Sequence, residues 1–197
     1  MSSKLKERIL QAASELFYRQ GIRATGVDAI VKAAGTTKMS LYHYFPSKND
    51  LVMAHLHKSA ETMRARILAG IAKRAAEPKA RLLAVFDVFD EISKLDEFRG
   101  CPFINAAAEA SADEESFRQT SAEFYQALCD SLAGLAQEAQ AQRPDELARQ
   151  LVLLLSGAII AEQMQRDSEA IAIARRAADT LIELACMHCQ TAQIEGR

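Results

Sequence analysis

Apolar residues recur at helical spacing along most of this 197-residue chain, and that periodicity limits the fold more than any other feature. Aromatic residues make up only 6% of the sequence. No stretch shows the apolar–polar alternation with β-branched residues that indicates a strand. The sequence therefore predicts an all-α protein.

The first helices are short, and local signals mark their ends. The first carries one apolar stripe of Leu5, Ile9, Ala12, Ala13, Leu16 and Phe17. Gly21 ends it. Thr25-Gly26 can start a second helix that Gly35 ends, and Thr36 and Thr37 can cap a third, Lys38 to Tyr44.

Longer helices are predicted further on. Pro46 stops the third helix and Ser47 caps a long fourth one from Lys48. Residues 113–115 predict a short break or an exposed first turn. Two further helices are predicted to start at Pro78 and at Pro102. Three more are predicted to run from Phe117 to about Gln142, from Pro144 through Leu147 to Met164, and from about Ser168 to Cys189.

Charge is unevenly distributed. The net charge of −2 alone argues against a nucleic-acid binder. Residues 1–58, however, carry nine Lys and Arg against four Asp and Glu, and the remainder carries 15 against 22. This asymmetry favours an N-terminal part that binds phosphate, with chance variation on solvated faces as the alternative.

The chain lacks signals for a membrane, for secretion and for a disulfide scaffold. No apolar run approaches the roughly 20 residues of a transmembrane helix, and the polar start predicts a cytoplasmic protein. Four cysteines are too few for a disulfide framework in a chain of this length. Residues 194–197 read as a remnant of an expression tag and are excluded from the fold.

Three short helices with tight turns fit a helix-turn-helix module. In such a module the second helix braces the third, which presents side chains to base edges in the major groove of DNA. Leu41 and Phe45 supply the inward face of the third helix. Its opposite face would expose hydrogen-bonding and aromatic groups, which is costly unless something binds there.

Residues 8–52 resemble the DNA-binding domain of TetR-type repressors. The stretch that carries the resemblance most strongly is Leu41-Tyr42-His43-Tyr44-Phe45-Pro46-Ser47-Lys48-Asn49-Asp50-Leu51. The family implies an all-α homodimer that binds a palindromic operator, with residues 1–58 as the DNA-binding domain and 59–193 as the regulatory and dimerisation domain. By position, the residues expected to face double-stranded DNA are Thr25, Thr36, Thr37, Lys38, Met39, Ser40, Tyr42, His43 and Lys48.

Within that set, the resemblance assigns Tyr42 and Lys48 mainly to phosphates, and Lys38, Ser40 and His43 to base edges. Gly26 stands where the family often has a capping Thr or Ser, so the contact at that turn stays open. Met39 replaces a common Gly and suggests an apolar contact with a thymine methyl group. His43 or Tyr44 could instead pack against the first helix.

The second half offers a sensing region with two interpretations. Aromatic residues between 86 and 125 could line an apolar ligand cavity or simply form core; those singled out are Phe86, Phe89, Phe103, Phe124 and Tyr125.

Cys101 lies between Gly100 and Pro102 at a predicted helix start, where free amides and Arg99 would lower its pKa. The segment 99–109 also resembles a TetR subgroup that includes oxidant- and electrophile-sensing repressors. A buried structural cysteine is the alternative.

The helix from Leu147 to Met164 is apolar on nearly all sides, which predicts burial in a dimer interface or in an ordinary monomer core. The residues predicted for the interface are Leu151, Leu155, Ala158, Ile159, Ala174 and Leu181. Cys186-Met187-His188-Cys189 lacks a second ligand pair, so no metal or cofactor is expected.

Two other functions compete with a repressor. A thiol enzyme based on Cys101 would need a nearby base, and no His lies within 40 residues on either side. An interaction module without DNA binding is the other alternative. The sequence predicts a non-enzymatic DNA-binding repressor, released by a small-molecule or oxidant signal.

Overall fold

The computed structural model describes residues 2–187, and over this range the backbone forms nine helices and no strands. Their bounds are α1 Ser2–Gln20, α2 Val27–Ala33, α3 Lys38–Tyr44, α4 Lys48–Arg74, α5 Pro78–Ser93, α6 Pro102–Glu109, α7 Glu115–Glu138, α8 Pro144–Met164 and α9 Ala170–Cys186. The predicted all-α fold class is confirmed.

The chain divides into two compact units, with boundaries within α4, between Gly100 and Cys101, and within α7. Unit 1 comprises Met1–Met63 and Cys101–Phe124, and unit 2 comprises Arg64–Gly100 and Tyr125–Arg197. Residues 101–124, which the sequence analysis placed in the regulatory domain, therefore pack with the three N-terminal helices. The functional division at residue 58 stays a prediction.

Unit 1 has one core, built from the apolar stripes of its helices. Ile9, Ala13 and Phe17 of α1 meet Ile30 of α2 and Leu41 of α3, all with at most 4% of their surface exposed. The core also includes, from α4, α6 and α7, Leu51, Val52, Leu56, Phe103, Ala106 and Phe117. Burial against these neighbours stabilises helices of seven residues that would not form alone.

Unit 2 is built around α8, which packs against α9 and α5. Among the described residues, α8 is the one helix with the length and apolar content of a membrane span. Its inward residues are buried against neighbouring helices. Leu151 and Val152 are fully buried there, and Leu155 is 1% exposed.

Candidate nucleic-acid interface

The third helix, α3, is held in place by its neighbours. Leu41 is fully buried, Phe45 just after the helix is 3% exposed, and α3 packs against both α1 and α2. Because a helix of seven residues has little stability of its own, these contacts fix its position in unit 1.

Thr37 caps the start of α3, as the sequence predicted. Its Oγ1 accepts a hydrogen bond from the Ser40 amide at 3.2 Å and donates one to Ser40 Oγ at 3.1 Å. This cap satisfies one of the free amides of the first turn. Ser47 caps α4 in the same way, accepting from the Asp50 amide at 3.1 Å.

The outer face of α3 is exposed. Met39 is 83% exposed and Tyr42 45%, and Lys38 and His43 are exposed as well. Positions 42 and 43 lie three and four residues after position 39, so they share a face of the helix with it. Of the other predicted contact residues, Thr37 is exposed, and those that are half-buried are Thr36, Ser40 and Lys48.

Lys38 is held by a carboxylate of the preceding helix. Its Nζ lies 2.8 Å from Asp28 Oδ1, and both side chains are largely exposed. The hydrogen bond to Asp28 raises the pKa of Lys38, and the negative charge of Asp28 is the second-largest cause of this rise. The sequence analysis missed Asp28, since nothing in the spacing of α2 indicates a partner ten residues away.

Arg8 of α1 holds the turn between α2 and α3. Its Nε donates to the Ala34 carbonyl at 2.8 Å, and a terminal nitrogen donates to the Gly35 carbonyl at 3.3 Å. The guanidinium thereby satisfies carbonyls that the end of α2 leaves without helical partners. Arg8 was also missed, because no local motif links it to a turn 26 residues away.

Thr25 does not face DNA, and this part of the prediction is wrong. The residue is fully buried, and its hydroxyl donates to the Gly21 carbonyl at 2.7 Å. Gly26 occupies the N-cap of α2 without a side-chain bond. The four-residue spacing from Gly21 was the available signal, since a threonine hydroxyl often bonds a carbonyl four residues earlier.

Tyr44 and His43 separate into an inner and an outer residue. Tyr44 is half-buried against the core of unit 1, which includes α1. His43 is exposed, and its ring meets the Tyr44 ring edge-on at 5.0 Å between centroids. The packing alternative therefore applies to Tyr44, and His43 remains available at the surface.

Cys101 occupies the predicted N-cap of α6, but its pKa shifts in the opposite direction to the prediction. Burial raises the pKa of the thiol, and this outweighs the lowering by hydrogen bonds from the Ile104 and Phe103 amides. The expectation of a lowered pKa is thus wrong. A raised pKa is typical of a structural cysteine.

The aromatic residues of the predicted cavity fall in both units. In unit 1, Phe103 stacks on Phe124, with 3.9 Å between ring centroids and 11° between planes. In unit 2, Phe86 is fully buried, Phe89 is 5% exposed and Tyr125 is 38% exposed. A ligand cavity stays a prediction.

The predicted dimer residues of α8 and α9 mostly face inward, and this assignment is wrong. Those at most 6% exposed within the single chain are Leu151, Leu155, Ala158, Ile159 and Ala174. Leu181 is half-buried. An outer stripe on α8 is exposed instead, with Leu153 at 64%, Ile160 at 40% and Met164 at 79%. The apolar composition of α8 concealed which side faces its own core.

The segment Cys186-Met187-His188-Cys189 lies partly outside the described residues. Cys186, the last residue of α9, is half-buried, and burial raises its pKa.

The fold and the exposed, braced α3 place the protein in the helix-turn-helix class. Residues 9–54 match the family of "Bacterial regulatory proteins, tetR family", and residues 78–178 match the "Tetracyclin repressor-like, C-terminal domain". The chain belongs to the TetR family of bacterial regulatory proteins.

Similar proteins carry related names. An uncharacterized HTH-type transcriptional regulator in the lacX 3' region of Lactococcus lactis is 30% identical over 129 residues, which is 65% of this chain and 66% of that protein, just under two thirds of its length. The transcriptional regulator AcuR of Cereibacter sphaeroides is 30% identical over 173 residues, 83% of this chain and 78% of that protein.

A solved structure has the same fold. A TetR-family transcriptional regulator from Streptomyces coelicolor superposes with a TM-score of 0.86 at 24% identity, over 93% of this chain and 97% of that one. Regulators of this family bind DNA, act as dimers, and are soluble cytoplasmic proteins.

Proposed function

We propose that this chain is a sequence-specific DNA-binding repressor that binds a palindromic operator as a homodimer. The observation that carries the proposal is the outer face of α3. Lys38, Met39, Tyr42 and His43 are exposed there, while Leu41 anchors the same helix in the core. A braced helix with exposed polar and aromatic side chains fits the major groove of a duplex.

Each predicted contact residue on or near α3 has a proposed role. Tyr42 and Lys48 contact phosphates and set the register of the protein on the duplex. Lys38 and His43 contact base edges, and Met39 contacts a thymine methyl group. Thr36, Thr37 and Ser40 lie at the same end of α3, where Thr37 and Ser40 also form the helix cap.

The proposed dimer interface is the outer stripe of α8 and α9, in place of the buried residues predicted from the sequence. On α8 the stripe follows helical spacing through Leu153, Gly157, Ile160 and Met164, all exposed. On α9 it includes Ile173, 53% exposed, and Leu184, 57% exposed. A second copy of the chain would cover these apolar side chains and form a four-helix bundle.

The signal that releases the operator is proposed to be a small molecule or an oxidant. Binding would favour an arrangement in which the two α3 helices no longer match successive major grooves, about 34–36 Å apart. Because the pKa of Cys101 is raised, less of this thiol is in the reactive thiolate form, so we favour a small molecule over an oxidant as the signal. It also argues against catalysis by this thiol, so the proposal assigns the chain no enzymatic activity.

Selection of duplexes from a random-sequence pool tests the proposal. The unaltered chain is expected to enrich a palindrome with two half-sites about one helical turn apart. It should bind that duplex with an affinity that falls steeply as salt rises. Recovery of unrelated sequences without enrichment, with affinity unaffected by salt, would contradict the proposed function.

A further inference from the structure

The last residue of α6, Glu109, is bonded to the turn between α1 and α2. Its carboxylate Oε2 accepts a hydrogen bond from the Arg23 amide at 2.8 Å. In return, Arg23 Nε donates to the Glu109 carbonyl oxygen, also at 2.8 Å. The two residues are 86 positions apart in sequence and lie in the same unit. Bonds to charged groups are the stronger class of protein hydrogen bonds.

Gly21 makes room for this carboxylate. Its φ is +92°, a conformation that glycine adopts without strain. A Cβ at this position would lie 3.0 Å from Glu109 Oε1 and 3.2 Å from Oε2. The turn therefore has both the backbone conformation and the space to receive the glutamate side chain closely.

Helix α6 is itself fixed within unit 1. Phe103 is 2% exposed and Ala106 is fully buried, in the same core as the inward residues of α1, α2 and α3. Because Phe103 and Ala106 anchor α6 in this core, its C-terminal residue holds the α1–α2 turn at a set position. This turn leads into α2, which packs directly on α3.

We propose that Glu109 is a positioning residue for duplex binding, which fixes the α1–α2 turn and through α2 the orientation of α3. This inference rests on the proposed function. A carboxylate is a poor direct partner for DNA phosphates, since like charges repel. The negative charge of Glu109 would by itself weaken duplex binding, so its contribution comes from the bonds that it makes with Arg23.

Two substitutions of equal charge separate these effects. Glu109→Ala removes the carboxylate and its bond, whereas Glu109→Gln keeps a carbonyl oxygen that can accept from the Arg23 amide. We expect Glu109→Ala to weaken binding of the duplex selected by the unaltered chain about tenfold, and Glu109→Gln to restore most of that loss. The salt dependence of binding should be the same in all three proteins, because no phosphate contact is lost.

Asp113→Asn is the matched control. Asp113 is exposed in the loop after α6, and its substitution removes one negative charge from the same segment. It should leave duplex binding unchanged or slightly tighter. Equal affinities for Glu109→Ala, Glu109→Gln and Asp113→Asn would overturn the positioning role and leave only a charge effect.

Amide hydrogen exchange tests the inference without DNA. In Glu109→Ala, exchange should accelerate at residues 22–33, and it should be unchanged in α8 and α9, which lie in unit 2. Unchanged exchange at 22–33 would overturn the role of the bond even if the unaltered chain selected no duplex. Conversely, the chain could select no duplex while exchange at residues 22–33 is faster in Glu109→Ala. This result would refute the proposed function and the positioning role in duplex binding, and it would leave only a structural role for the Glu109–Arg23 bonds.

Discussion

At the scale of single residues, His55 is a buried ionisable group of unit 1 that couples stability to pH. It is 5% exposed, and its ring lies 5.6 Å from the Phe17 ring. Nδ1 is 3.5 Å from Ser59 Oγ, at the limit of a hydrogen bond. Burial lowers the pKa of His55 to about 4, because the imidazolium would lose its hydration.

This histidine predicts a loss of stability in mild acid. The folded pKa lies below the unfolded value of about 6.5, so the unfolded chain binds the proton more readily. The contribution of His55 is complete above about pH 6.5 and falls between pH 6.5 and 4, by about 3 kcal/mol in total.

Urea denaturation between pH 7 and 4 measures this effect. His55→Leu should flatten the pH dependence, whereas replacement of the exposed His57 by Asn should preserve it. The same pH dependence in His55→Leu and in the unaltered chain would show that other groups cause the acid sensitivity.

Several residues that shape the site were beyond sequence reasoning for one physical reason. Arg8, Asp28 and Glu109 act through bonds to residues 10 to 86 positions away, and no local pattern records such partners. The end signals of α3 were local, by contrast. Thr37 capped the helix where the sequence placed the cap, and Lys38–Tyr44 was predicted with its observed bounds.

At the scale of helices, close approach between α4 and α5 depends on a glycine. A Cβ on Gly70 of α4 would overlap Val88 Cγ2 of α5. A Cβ on Gly134 of α7 would have no neighbouring atom within 4 Å. The two helical glycines thus differ in the space around them, but each carries the same backbone-entropy cost in the helix.

The effects of alanine at these positions should have opposite signs. Gly70→Ala is expected to destabilise the protein by roughly 1–3 kcal/mol through overpacking against Val88. Gly134→Ala should stabilise it by about 0.5–1 kcal/mol, because alanine favours the helix. Thermal and urea denaturation measure both, and a stabilising Gly70→Ala would show that the helices can separate at little cost.

Helix ends set by tertiary contacts were predicted less well than those set by local caps. The sequence placed the start of the last helix near Ser168, and α9 begins at Ala170. Asp167 and Glu169 adopt positive φ values, 57° and 56°, in the turn before it. The buried carboxylate of Glu162 on α8 accepts from the Ala170 amide at 2.8 Å and fixes this start.

At the scale of the whole molecule, periodicity predicted the all-helical fold, and short helices with tight turns predicted the helix-turn-helix. The grouping of the helices was not predicted. The association of α6 with the N-terminal helices depends on burial of Phe103 and Ala106 in unit 1. Likewise, α8 is apolar on most sides, so only the packing of α5 and α9 shows that Leu153 and Ile160 face outward.

The proposed dimer is tested by a charge in this stripe. Ile160→Lys places an ammonium where a second copy would pack, so it should convert the dimer to monomers at micromolar concentration. Leu95→Lys is the control, because Leu95 of unit 2 is similarly exposed, at 43% against 40%, and lies outside the stripe. Sedimentation velocity distinguishes the two, and equal behaviour of both variants would refute this interface.

The central claim, that the outer face of α3 binds a duplex, is tested most directly by the duplex affinity and base preference of two matched lysine variants. Lys38 and Lys94 are both exposed and paired with an aspartate, Lys38 on α3 and Lys94 in unit 2. Lys38→Gln should weaken binding of the selected duplex by roughly 1–3 kcal/mol and relax the base preference at the contacted position, as for the loss of a base-edge contact. Lys94→Gln should match the unaltered chain. Identical affinities and base preferences for all three proteins would contradict the claim.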